Sequence, residues 1–165
     1  MSLPRKPAQI VRAAEAAARS GTFQHPWNPQ SEMTGSLLSR AAGLERAPVN
    51  LLRIPPGKES FTYHAHLHEE EWIYVLSGRA VVQSGETVHE IAAGDFVAFP
   101  TPSEPHILRN TSAEDVVYLT GGERAPFDVA DYPREGKRMV RLGDRATVYD
   151  LASGTPFPFP GTEPL

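Results

Sequence analysis

Gly57-Lys-Glu-Ser-Phe-Thr-Tyr-His64-Ala-His66-Leu-His68-Glu-Glu-Glu71-Trp-Ile-Tyr-Val-Leu-Ser-Gly78 carries the densest chemical signal in the chain. Two histidines stand one residue apart in a β-prone run, and a carboxylate opens the apolar run that follows. Side chains alternate faces along a strand. His64 and His66 therefore point the same way, roughly 7 Å apart at about 3.3 Å rise per residue, and form a platform for one metal ion. A turn over residues 67–70 brings the chain back alongside, where Glu71 can add an oxygen; Glu69 and Glu70 compete with it. A second segment, Gly94-Asp-Phe-Val-Ala-Phe-Pro100 followed by His106-Ile-Leu-Arg-Asn110, offers a third histidine. Three nitrogens and one oxygen suit a borderline divalent ion such as zinc, iron, manganese or nickel.

Around these segments the chain reads as short strands. Strand signals run over 49–54, 60–66, 71–76, 79–83, 87–91, 96–99, 106–110 and 116–120, with breakers at Pro55-Pro56-Gly57, Ser84-Gly85 and Ala93-Gly94-Asp95. Short strands so closely spaced predict an all-β fold, an antiparallel barrel or jelly roll. Residues 139–142 and 146–150 add edge strands. Ahead of the barrel, residues 8–20 predict a short helix capped by Gly21 in the left-handed conformation, then an irregular arm over 22–33. At the other end, Thr155-Pro-Phe-Pro-Phe-Pro160 reads as extended, polyproline-like chain. The division is 1–46 helix and arm, 47–150 barrel, 151–165 proline-rich tail.

Parity assigns the faces. If His64 and His66 look inward, so does Thr62; Glu71, Ile73 and Val75 share one face, and His106, Leu108 and Asn110 another. The pocket so formed is mostly apolar apart from the four candidate ligands. Ionisable side chains on a buried face with no ion would meet a desolvation cost of several kcal/mol. His68 lies at the turn, His89 in a hairpin and His25 in the arm, all read as solvated or structural. Tyr63 and Tyr74 have outward parity, which leaves His68 as the weak choice for a general base. Arg53, Arg79 and Gln83 reach a substrate carboxylate only if their strands turn them inward, which parity leaves open.

Bulk composition narrows the classes. The 165 residues suit one domain with its own core, and the net charge of −4, with no basic run, argues against nucleic acid and anionic membrane as partners. There is no cysteine, so disulfides, thiol nucleophiles and zinc–thiolate sites are excluded. No apolar stretch approaches signal-peptide or membrane-span length, and the expectation is a cytoplasmic protein.

The two histidine segments resemble the two motifs of the cupin superfamily. In the first, a glycine precedes His-x-His, then a glutamate, six residues and a glycine; Glu71 to Gly78 keeps that interval, and four residues separate His66 from Glu71. The second motif has glycine, five residues, proline, then histidine, three residues and asparagine, as Gly94 to Pro100 and His106 to Asn110 do. Pro102 stands where the motif has a glycine, the loop before His106 is one residue longer, and six residues rather than five separate Gly57 from His64. These departures fall in loops. The resemblance spans residues 57–110 and is nearest to single-domain bacterial "cupin 2 conserved barrel" proteins. It implies a double-stranded β-helix (jelly-roll) barrel and a divalent metal ion held by His64, His66, Glu71 and His106, the spacing to Gly78 favouring Glu71 over its neighbours. It further implies a metalloenzyme acting on a small organic molecule, anionic ones included; related cupins are dioxygenases, decarboxylases, isomerases and epimerases. The alternative is a non-catalytic cupin in which the ion anchors a sugar or carboxylate. A homodimer is expected, with Phe23, Trp27, Phe157 and Phe159 of the terminal segments at its contacts.

Overall fold

The β-prone runs fold as strands wherever a partner strand lies within hydrogen-bonding reach, and this decides the few departures from expectation. The structure, a computed structural model, describes residues 5–155 and Phe157. Helix α1 covers only Ala13–Ala18, shorter than the predicted 8–20, because Ala16 alone in it is buried. A helix so short has little stability without packing. Gly21 does not cap it; that residue opens β1 (Gly21–Phe23), which pairs antiparallel with β2 (Met33–Ser36). The arm is thus irregular only between these strands. A turn of helix, α2 (Leu38–Ala41), leads to β3 (Val49–Ile54), which stops at Pro55-Pro56.

The predicted strand over 60–66 shrinks to β4 (Ala65–His66). The residues before it spend their hydrogen bonds elsewhere, Ser60 N–H on the Leu108 carbonyl and His64 N–H on that of His106. There follow β5 (Glu71–Ser77), β6 (Arg79–Ser84), β7 (Thr87–Ala92), β8 (Phe96–Phe99), β9 (His106–Arg109) and β10 (Val116–Gly122), close to the predicted runs. Strand β11 (Phe127–Tyr132) was not predicted. Pro126 and Pro133 bracket it and Asp128 and Asp131 interrupt it, and both residue types are depleted in strands. It pairs with β4 on one side and β12 (Lys137–Leu142) on the other, and β13 (Arg145–Asp150) forms the edge.

The strands assemble in the orders β1-β2-β3-β10-β5-β8, β13-β12-β11-β4 and β7-β6-β9, a double-stranded β-helix. Parity holds along β5, where Ile73 and Val75 are buried and Tyr74 and Leu76 exposed. The core gathers Ile54, Val75, Val82, Leu108, Val116 and Tyr118 from five strands. Gly78 turns the chain between β5 and β6 at φ +81°, and a Cβ there would lie 2.4 Å from the Asp115 carbonyl oxygen. Only glycine fits both demands.

The arm's aromatics cover their own barrel: Phe23 stacks on Phe61 at 5.0 Å and Trp27 meets Tyr132 edge-on at 5.1 Å. A 3-10 turn covers Leu151–Ser153; most of the stretch expected to be polyproline-like, Phe159 included, lies outside the described residues. No helix among the described residues is long and apolar enough to cross a membrane.

Candidate metal centre

Four side chains from separate elements meet at one end of the barrel. His66 lies on β4, His64 beside it in an isolated bridge to His106 of β9, and Glu71 opens β5. The Nε2 atoms of His64, His66 and His106 lie 3.5, 3.5 and 3.2 Å from the same oxygen, Glu71 Oε2. Ligand atoms of His64, His66 and Glu71 all fall within 4.8 Å of one another.

The opposite ring nitrogens explain the aim. His64 Nδ1 faces the Thr62 carbonyl at 2.8 Å, His66 Nδ1 faces Asp128 Oδ2 at 2.6 Å, and His106 Nδ1 faces the Glu104 carbonyl at 3.2 Å. Each partner is an oxygen that can only accept, so each Nδ1 carries the proton and donates it. In the neutral imidazole Nε2 is then left as a lone pair directed inward. With all three imidazoles neutral, three lone pairs and a carboxylate oxygen converge with no hydrogen among them, an arrangement that repels itself unless a proton or a metal cation joins it. This donor set, with oriented outer nitrogens, fits a divalent ion. The Phe99 ring, parallel to His106 at 3.7 Å, fixes the third imidazole from the side.

Protons can fill the same role as a cation, and the electrostatics are then those of a proton-sharing cluster. Burial works against the Glu71 anion, but hydrogen bonds from His106 and His64 and the nearby charge of His66 and His64 hold its carboxyl well below the usual range. Burial also lowers His64, yet the Glu71 hydrogen bond and charge outweigh it and raise the net value. For His106 burial prevails, aided by His64, and its pKa falls. Tyr132 is pushed up to about 12 by burial and by the charges of Glu71, Asp128 and Glu135.

A cavity of about 370 Å³ opens over the four residues. Met33, Leu52, Ile73, Phe99, Leu108 and Met139 give it an apolar wall, while Asn50, Thr120, Glu123, Arg124 and Tyr132 add polar groups. All four sequence-predicted residues are brought together here. Glu69 also lines the cavity, and its carboxylate lies within 4.8 Å of ligand atoms of His66 and Asp128, but it is engaged by Arg141 and the Ala125 N–H; Glu70 is exposed. His68 is exposed and rests against Phe127, so it does not reach the cavity. Arg53 pairs with Asp115 outside, Arg79 is exposed, and Gln83 accepts from Arg109 and Arg134; none of the three lines the cavity. Asp128, Tyr132, Glu123 and Arg124 were missed. They lie on β11 or between β10 and β11, far along the chain from His64 and His66, and the pairing of β11 with β4 brings Asp128 to His66.

A double-stranded β-helix that aims three imidazoles and a carboxylate at one point defines a cupin-type barrel. The model of the cupin domain matches residues 50–121. The chain is 35% identical to a protein of Acidithiobacillus ferrooxidans provisionally named a sugar phosphate isomerase, over 91% of this chain and 97% of that one, with a TM-score of 0.83. This chain therefore belongs to the cupin family. Two further structures share the fold. A sugar phosphate isomerase of the cupin superfamily from Silicibacter pomeroyi is 24% identical over 81% of this chain and 87% of that one, TM-score 0.72. A Thermotoga maritima protein named by prediction as an oxalate decarboxylase is 23% identical over 70% and 99%, TM-score 0.60. No curated protein matches the sequence.

Proposed function

We propose that this chain is a metal-dependent cupin isomerase that interconverts the aldose and ketose forms of a small sugar phosphate. It holds one divalent ion through His64, His66, His106 and Glu71. The observation that carries the reading is the convergence of three Nε2 atoms on Glu71 Oε2 with every Nδ1 tied back to an acceptor. The substrate class comes from the Acidithiobacillus relative, whose length this chain matches nearly throughout. A bound divalent ion supplies a Lewis acid for a carbonyl and its neighbouring hydroxyl.

The chain's own residues supply the rest. Isomerisation moves one proton from C2 to C1 and one between the two oxygens, and it needs no oxidant. Tyr132 offers a hydroxyl within the cavity wall; the contact found for it among the described residues is the Met139 sulfur at 4.0 Å, a weak acceptor. Glu123 offers a carboxylate at the rim. Arg124 beside it pairs with Asp144, whose side chain is 97% exposed. Such an exposed pair is worth little, so a phosphate can take the guanidinium. Ile73, Phe99 and Leu108 limit water around the reacting carbons.

The test is metal analysis of untagged protein followed by isomerase assays on phosphorylated aldoses and ketoses in deuterated water. One ion per chain, turnover, and deuterium at the carbon that gains hydrogen are expected, all lost in His64→Ala. A metal-loaded protein that binds a sugar phosphate without turnover or exchange establishes the non-catalytic binding role instead. We also propose that the chain pairs as a homodimer, supported by edge strand β13, exposed at all six residues. Light scattering should give twice the chain mass, and a chain truncated after Gly154 should lose it; a monomeric full-length mass rules pairing out.

A further inference from the structure

We infer that the sheet β11–β13, which lies beyond the residues matched by the cupin-domain model, sets the geometry of the metal site, with Asp128 as the positioning residue for His66. The inference rests on the proposed ion site and adds how that site is held. Asp128 is fully buried, at 0% exposure. Both its oxygens accept: Oδ2 takes the His66 Nδ1 proton at 2.6 Å, and Oδ1 takes the His68 N–H at 3.1 Å. One bond fixes the ring's tautomer and rotation. The other fixes the backbone two residues further on, so the imidazole and its strand are held by one carboxylate.

The same sheet grips the rest of the ligand-bearing segment. Ala130 is paired with His66 in the β11–β4 register, and Leu67 N–H donates to the Val129 carbonyl at 2.9 Å. Glu135, in the turn after β11, accepts from Thr62 Oγ1 at 2.6 Å, and the Thr62 carbonyl is what holds His64 Nδ1. Arg141 of β12 forms a buried pair with Glu69. The chain from Thr62 to Glu69 is therefore clamped at both ends and in the middle. His106 needs no such help, since its acceptor is the carbonyl of Glu104, two residues away. A carboxylate behind a metal-bound imidazole raises its basicity as well as orienting it, and losing such a partner costs about 10–100-fold in metal affinity.

The experiment measures cobalt(II) affinity, by competition with a chromophoric chelator, and the cobalt(II) visible spectrum. It compares wild type, Asp128→Asn, His66→Ala and the double variant. Asparagine keeps the shape but has one acceptor oxygen for two donors. Asp128→Asn should weaken cobalt(II) binding about 10–100-fold and alter the absorption bands, yet cause no further loss in the His66→Ala background. Wild-type affinity and spectrum in folded Asp128→Asn overturns the inference, as do losses that multiply in the double variant, the mark of a general structural effect. Should Asp128→Asn not fold, Glu135→Gln replaces it; the expected result is weaker binding than wild type, and unchanged binding overturns the scaffold role. Failure of wild type to bind cobalt(II), zinc(II), manganese(II), nickel(II) or iron(II) instead removes the ion reading itself.

Discussion

The two ends of the barrel are built from the same strands but from opposite chemistry. Along β5 the inward face runs Glu71, Ile73, Val75; along β9 it runs His106, Leu108, Asn110. At the closed end Ile54, Val75, Val82 and Val116 are at most 1% exposed, and the polar Asn110 gives its amide hydrogens to the carbonyls of Ile54 and Glu114. At the open end four electron-pair donors face one another. The closed end supplies burial that holds the fold without any ligand. The open end is tolerated because each imidazole has its outer nitrogen satisfied, and its inner donors suit a cation.

If this division is right, the largest stability loss comes from the closed end. Ile54→Ala should cost about 2–5 kcal/mol in denaturant unfolding, since it empties a site with no solvent access. A loss under about 1 kcal/mol breaks the comparison. Removing the ion should act less severely. Chelation should lower the melting temperature, removing stability that grows with the logarithm of ion concentration over dissociation constant, about 2.7 kcal/mol at a hundredfold excess, with the far-ultraviolet circular dichroism unchanged. Complete unfolding on chelation means that the open end too is needed for folding.

The smallest effect sharpens the comparison at alkaline pH. Tyr118 sits in the core, the contact found for its hydroxyl among the described residues is the Met33 sulfur at 3.5 Å, and burial raises its pKa. Its folded value lies above the unfolded one, so the stability it carries is complete below about 10 and is lost as pH rises toward the folded value. Tyr118→Phe should leave stability at neutral pH within about 1 kcal/mol of wild type and make the alkaline decline shallower. Tyr132, pushed up to about 12, acts in the same direction. An unchanged alkaline slope in Tyr118→Phe contradicts the buried phenol.

The legible part of the sequence was what alternation and local spacing encode. Glu71, Ile73 and Val75 could be placed on one face before any coordinates, because a period of two leaves no freedom once His64 and His66 point inward. The N-terminal helix was overextended because alanine propensity ignores whether a face has anything to pack against. Strand β11 was invisible for the opposite reason. Its prolines and aspartates speak against a strand locally, and only pairing with β4 and β12 forms it. Asp128 was hidden with it, since an aspartate interrupting an apolar run reads as a turn until its distant histidine is seen. Tyr132 shared that fate.

The three acceptors behind the imidazoles differ in kind. Those of His64 and His106 are main-chain carbonyls, of Thr62 and Glu104, present whatever side chain occupies the position. That of His66 is a side chain. A single codon change can alter the electron-donating strength of His66 alone, while the other two rings keep theirs through any substitution that preserves the backbone. Variation among relatives in metal preference is then expected to track position 128 more closely than the residues flanking the other two histidines.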